Sequence, residues 1–131
     1  MTEKSRPNYH GPALFSLGLR PFFLMAGFFA MLVVPLWMTV WTGNATLRGP
    51  FAPVDWHIHE MLFGYTSAVL AGFLFTAIPN WTGRMPTRGW PLMALAALWL
   101  AGRLAVAGAF GLGPVPVMLL DCAFMALISA M

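Results

Sequence analysis

Long apolar stretches without charged residues constrain the possible folds of this chain more than any other feature of its sequence. Residues 21–43 carry no Asp, Glu, Lys or Arg. At ~1.5 Å per helical residue, this run can cross the ~30 Å hydrocarbon core of a bilayer. Across the chain 60% of residues are hydrophobic and 8% are charged, too few charges to cover the surface of a soluble domain. The sequence therefore predicts an integral membrane protein.

Proline- and glycine-containing loops divide the chain into four predicted membrane helices. The predicted spans are residues 21–43, 57–79, 90–111 and 115–131, after an N-terminal tail at 1–13. The predicted fold class is an all-α, polytopic membrane protein. Because the sequence ends inside or just at the end of the fourth predicted span, we expect it to be truncated. Its expected partners are the lipid bilayer and the remaining helices of a longer chain, or other membrane subunits.

The distribution of basic residues predicts the orientation of the helices. One side of the membrane receives most of them, namely Lys4, Arg6, Arg20, Arg84 and Arg88. Arg48 alone falls on the other side. The positive-inside rule therefore places the N-terminus in the cytoplasm. The basic residues are scattered and form no basic-aromatic patch, so we expect no nucleic-acid partner.

A polar cluster lies at the outer end of the second predicted span. It contains Asp55, His57, His59, Glu60 and Met61. If a helix begins with Asp55 as its cap, His57 shares a face with Glu60 and Met61, and His59 points nearly opposite. If the helix begins after His59, the extended backbone puts both histidines on one side. The sequence leaves both arrangements open.

These side chains are candidate metal or haem ligands. Imidazole and thioether together suit copper, and imidazole alone suits haem iron. The cluster does not match a zinc motif, so further ligands must come from other helices. The alternative is an interfacial role, with Glu60 favouring the helix N-terminus. Below His57, the small residues Gly64, Ala68 and Gly72 indicate helix packing more strongly than a cofactor slot.

Arg103 and Asp121 are charged residues inside the third and fourth predicted spans. Both lie at similar depths below the same face, and a tight turn joins the two helices. We therefore predict an Arg103–Asp121 ion pair, because pairing neutralises charges that are costly in a low-dielectric environment. The alternative is a polar path for a proton or substrate that also includes Glu60.

Four stretches in this order resemble the N-terminal part of NnrS family proteins. They are LFSLGLRPFF at 14–23, WHIHEMLFG at 56–64, AGFLFTAIPNWTG at 71–83 and RGWPL at 88–92. The resemblance implies a multi-pass protein of the bacterial inner membrane that binds haem and copper. It also implies a link to denitrification and to defence against nitric oxide. His57 and His59 become the leading cofactor ligands, with Glu60 and Met61 as close supports.

The sequence thus predicts an NnrS-like haem and copper protein that handles nitric oxide or nitrosative stress. The sequence leaves open whether it is an enzyme. A second hypothesis is a transporter or permease fragment with a polar path through Glu60, Arg103 and Asp121 and no cofactor. A third is a purely structural membrane module.

Overall fold

Four helices make up most of the structure, a computed structural model that describes residues 9–131. After a short 3₁₀ turn at Ala13–Ser16, the helices are α1 (Leu19–Trp41), α2 (Pro53–Thr82), α3 (Trp90–Val106) and α4 (Pro114–Ala130). No strand occurs within residues 9–131. The all-α prediction is confirmed. Most of the predicted tail, residues 1–8, lies outside the described residues.

Helix lengths differ from the predicted spans at several ends. The second helix begins at Pro53 and ends at Thr82, longer at both ends than the predicted 57–79. The third ends at Val106 rather than at residue 111, because the chain then turns through Gly108, whose φ is +83°. Two helices, α1 with 23 residues and α2 with 30, are long and apolar enough to cross a membrane. The helices α3 and α4 are apolar but shorter, with 17 residues each.

The helices pack as two neighbouring pairs, α1 against α2 and α3 against α4. Close approach of α1 to α2 depends on Gly72, since a Cβ there would lie 2.6 Å from the ring of Phe23. Phe22 stacks on Phe75 and packs at a tilt against Phe124, which links α1, α2 and α4 in one apolar core. The small residues of α2 therefore serve helix packing, the interpretation that the sequence favoured.

A second apolar cluster lies towards the Pro53 end of α2. It comprises Val33, Trp56, Ala105, Val106 and Val117, from all four helices. The loop between α1 and α2 closes over this cluster through Leu47 and Phe51. This end of the bundle holds the polar cluster that the sequence singled out.

Residues Glu60–Thr66 of α2 form a π-helical segment. Side-chain hydroxyls and an indole also donate to main-chain carbonyls of this segment. The Thr66 hydroxyl donates to the Met61 carbonyl at 2.8 Å, and the Ser67 hydroxyl donates to the Gly64 carbonyl at 3.1 Å. Trp99 of α3 also donates its indole N–H to the Gly64 carbonyl, at 3.0 Å. Such π segments are frequent at functional sites.

Candidate functional site: a buried charge network beside two histidines

Arg103 lies at the centre of a buried network of charged side chains. Its Nη1 donates to Glu60 Oε1 at 3.0 Å, and its Nη2 donates to Asp121 Oδ1. Glu60 is 1% exposed, and Arg103 and Asp121 are each 6% exposed. The predicted Arg103–Asp121 ion pair is therefore present. Its extension to Glu60 joins α2, α3 and α4 through one guanidinium group.

His59 closes the network into a ring. Its Nε2 lies 3.0 Å from Asp121 Oδ2, and its Nδ1 lies 3.3 Å from Glu60 Oε1. A neutral imidazole has one N–H and donates to only one of these carboxylates at a time, whereas an imidazolium donates to both. Phe51 and Phe63 stack on the imidazole, with centroids 4.8 Å and 4.9 Å away. Both ring nitrogens of His59 therefore already face carboxylate partners.

Gly64 makes the close packing of this network possible. A Cβ at this position would lie 2.7 Å from Phe29, 2.8 Å from Arg103 Nη1 and 2.9 Å from Glu60 Oε2. The Arg103 guanidinium also lies 5.9 Å from the centroid of the Trp99 ring. The space beside Gly64 is thus occupied by side chains of this chain, which agrees with helix packing rather than a cofactor slot at this position.

His57 lies apart from the charged ring and faces α1. Its imidazole stacks on Trp37, with ring centroids 4.1 Å apart and planes at 21°. Its Nδ1 is enclosed and has no hydrogen-bond partner within residues 9–131. The indole N–H groups of Trp37 and Trp56 are likewise enclosed and unpartnered in this part of the chain. Nδ1 of His57 and the indole nitrogens of Trp37 and Trp56 thus all retain unused hydrogen-bonding capacity near the His57–Trp37 stack.

The structure decides between the two helix starts that the sequence left open. Because α2 begins at Pro53, both histidines are helical, and they face different helices, α1 for His57 and α4 for His59. Glu60 meets His59 and not, as the face assignment implied, His57. His59 and Glu60 are adjacent and lie 100° apart around α2. They reach α4 and α3 respectively, because α2 is enclosed on more than one side.

The remaining predicted residues lie outside the charged ring. The proposed helix cap at Asp55 is wrong, because Ala52 occupies the cap position and Asp55 lies in the first turn after Pro53. There its negative charge still favours the positive end of the helix dipole. Met61 is partly buried and packs against the apolar cluster around Trp56. No group of three or more His, Cys, Asp or Glu side chains in residues 9–131 is arranged to hold a metal ion.

An open groove of about 400 Å³ runs beside the network, between α2, α4 and the loop that precedes α2. His59 and Asp121 contribute the polar part of its lining, and Phe51, Phe63 and Val117 contribute apolar walls. The groove gives His59 an open side, although the residue itself is largely buried.

Sequence reasoning missed two residues of this site. Trp37 is not among the candidate residues of the sequence analysis, yet it forms the stacking surface for His57. Trp99 was not singled out, although its indole donates to a carbonyl of the π segment. Aromatic residues within an apolar helix carry no local signal for such contacts, because the partner lies on another helix.

The fold and site define an all-helical protein with apolar helices arranged around buried, mutually compensating charges. The model of the NnrS protein family matches residues 13–131, nearly all of the chain. The chain therefore belongs to the NnrS family, as its motifs predicted. Comparison with curated proteins finds no match, and comparison with solved structures finds none either.

Proposed function

We propose that this chain is part of a multi-pass haem and copper protein of the bacterial inner membrane, acting in the response to nitric oxide. Membership of the NnrS family supports the general assignment. In this proposal all four helices lie in the bilayer and the N-terminus is cytoplasmic. The concentration of Arg20, Arg84 and Arg88 at one end of the bundle supports that orientation.

His57 is the residue that we propose as the first cofactor ligand. The observation that carries this choice is its enclosed Nδ1, which has no partner within residues 9–131. A neutral imidazole with an uncommitted nitrogen is a suitable donor to haem iron or copper. The stacked Trp37 ring would hold the imidazole plane in one orientation. The bound metal would supply a binding site for nitric oxide.

His59 has a different role in this proposal. Both of its nitrogens already face carboxylates, so it would have to leave one of them to bind a metal. We assign it to the support of Glu60 and Asp121, with the groove side of the imidazole open to a ligand. Met61 remains a candidate metal ligand, although it packs among apolar side chains. Further ligands would come from other helices.

The transport hypothesis receives less support. A path through Glu60, Arg103 and Asp121 requires charged groups that can exchange partners with a passing ion or substrate. These three side chains are buried and paired with one another. Their arrangement favours a structural ion-pair network over a path.

The test is cofactor content in the full-length protein purified from membranes. Haem is measured by its absorption spectrum and copper by metal analysis, in the wild type and in His57→Ala, His59→Ala and His10→Ala. We expect His57→Ala to lose most of one cofactor and His59→Ala to lose less. The exposed His10 is the matched control and should change neither. A colourless, copper-free wild type would overturn the proposal, and unchanged content in His57→Ala would remove His57 as a ligand.

A further inference from the structure

A second hollow lies at the opposite end of the bundle from the histidines. It has a volume of about 520 Å³ and lies between the segment that precedes α1, the end of α2 and the loop at residues 83–89. Its lining combines apolar side chains of Leu17, Phe75 and Pro79 with polar side chains of Thr76, Asn80, Arg84 and Arg88. We call this the basic hollow. Its loop is fixed to the N-terminal segment by a hydrogen bond from the Gly89 N–H to the Phe15 carbonyl, at 2.9 Å.

The arginines of the basic hollow have no carboxylate partner among residues 9–131. The four acidic residues of the chain are Glu3, Asp55, Glu60 and Asp121. Glu60 and Asp121 are paired with Arg103, and Glu3 lies outside the described residues. Asp55 lies near the far end of α2, which at ~1.5 Å per residue is ~40 Å away. The hollow therefore presents positive charge that the described chain does not neutralise.

The side chain of Arg88 itself indicates that an anion binds in the basic hollow. Its Nε is enclosed, yet it has no hydrogen-bond acceptor within residues 9–131. An enclosed guanidinium N–H without an acceptor is costly, and the cost disappears when an anion binds. Guanidinium groups match phosphate oxygens in geometry and charge.

Two tryptophans locate this loop relative to a bilayer. Trp81 and Trp90 flank it on either side and are 71% and 78% exposed. Exposed tryptophans at both ends of a loop between apolar helices are typical of the headgroup region. A phosphate at this depth would belong to a lipid whose acyl chains run along the helices.

We propose that the basic hollow binds the phosphate group of an anionic phospholipid, with Arg84 and Arg88 on the phosphate and Leu17 and Phe75 beside the first acyl carbons. The proposal rests on the membrane location stated above but not on haem or copper. A free phosphate anion shares the same recognition chemistry. The apolar walls favour the lipid, because inorganic phosphate would leave them without a partner.

Native mass spectrometry of the full-length protein in detergent tests this proposal, with phosphatidylglycerol and phosphatidylcholine as probes. We expect tighter binding of phosphatidylglycerol. Arg88→Gln and Arg84→Gln should each raise its apparent Kd about fivefold, the factor for about 1 kcal/mol per arginine at a membrane surface. Arg48→Gln removes one exposed arginine from the other end of the bundle and should change the Kd less than twofold.

Three outcomes would overturn the proposal. In the first, Arg48→Gln weakens binding as much as Arg88→Gln; in the second, phosphatidylcholine binds as tightly as phosphatidylglycerol. In the third, inorganic phosphate displaces the lipid at millimolar concentration, which assigns the hollow to free phosphate. If Arg88→Gln does not fold, the test uses substitutions of the exposed Arg84 instead. Arg84→Gln is then compared with Arg84→Lys, which retains the charge. Haem and copper content should stay unchanged in these variants, which separates this result from failure of the proposed function.

Discussion

Replacing Asp121 with Asn removes one of the two carboxylates that compensate Arg103. The side chain keeps its size, but the Arg103–Asp121 ion pair is lost and His59 Nε2 faces an amide. Arg103 retains Glu60 at 3.0 Å, so its charge stays partly compensated. Breaking a buried ion pair by removing one partner typically costs about 3–5 kcal/mol. Because one partner remains, we expect the lower end, a loss of about 3 kcal/mol in the free energy of unfolding.

The free energy of unfolding is measured by denaturant titration of the purified protein in mixed micelles, followed by circular dichroism. Asp55→Asn is the matched control, because Asp55 is exposed in the first turn of α2 and makes no buried ion pair. It should change stability by less than about 0.5 kcal/mol. The double variant Asp121→Asn/Arg103→Met should lose less than the sum of the single variants, because it leaves only Glu60 uncompensated. Equal stability of Asp121→Asn and wild type would refute the role of the network.

Two further substitutions test the packing beside the network. Gly64→Ala should destabilise the protein by about 1–3 kcal/mol, because its Cβ would clash with Phe29 and Arg103, and the same assay measures the loss. Gly27→Ala is the control, since a Cβ there meets nothing within 4 Å. Trp99→Phe removes the indole donor to the Gly64 carbonyl, which keeps the Ser67 hydroxyl as a donor, so the loss should be about 1 kcal/mol; intact stability would show that the indole bond contributes little.

The pairing of Arg103 with Asp121 was predictable because both charged residues, and their positions within apolar segments, can be read directly from the sequence. A tight turn between two apolar runs fixes their relative depth, and a low-dielectric environment leaves a charge few alternatives to a partner. Glu60 was placed with His57 because helical periodicity treats one helix in isolation. Its partners are Arg103 on α3 and His59 on α2 itself, and periodicity contains no information about which neighbouring helix faces which side.

The sequence by itself determined the all-helical class, the four apolar segments, the family and the residues that form the buried charge network. These follow from composition, from turn residues and from ordered motifs, all of which are local. Only the tertiary structure decided that His59 closes the charged ring, that His57 stacks on Trp37 and that a π segment lies between Glu60 and Thr66. The two histidine contacts join residues far apart in the chain, so they are fixed only when the helices pack.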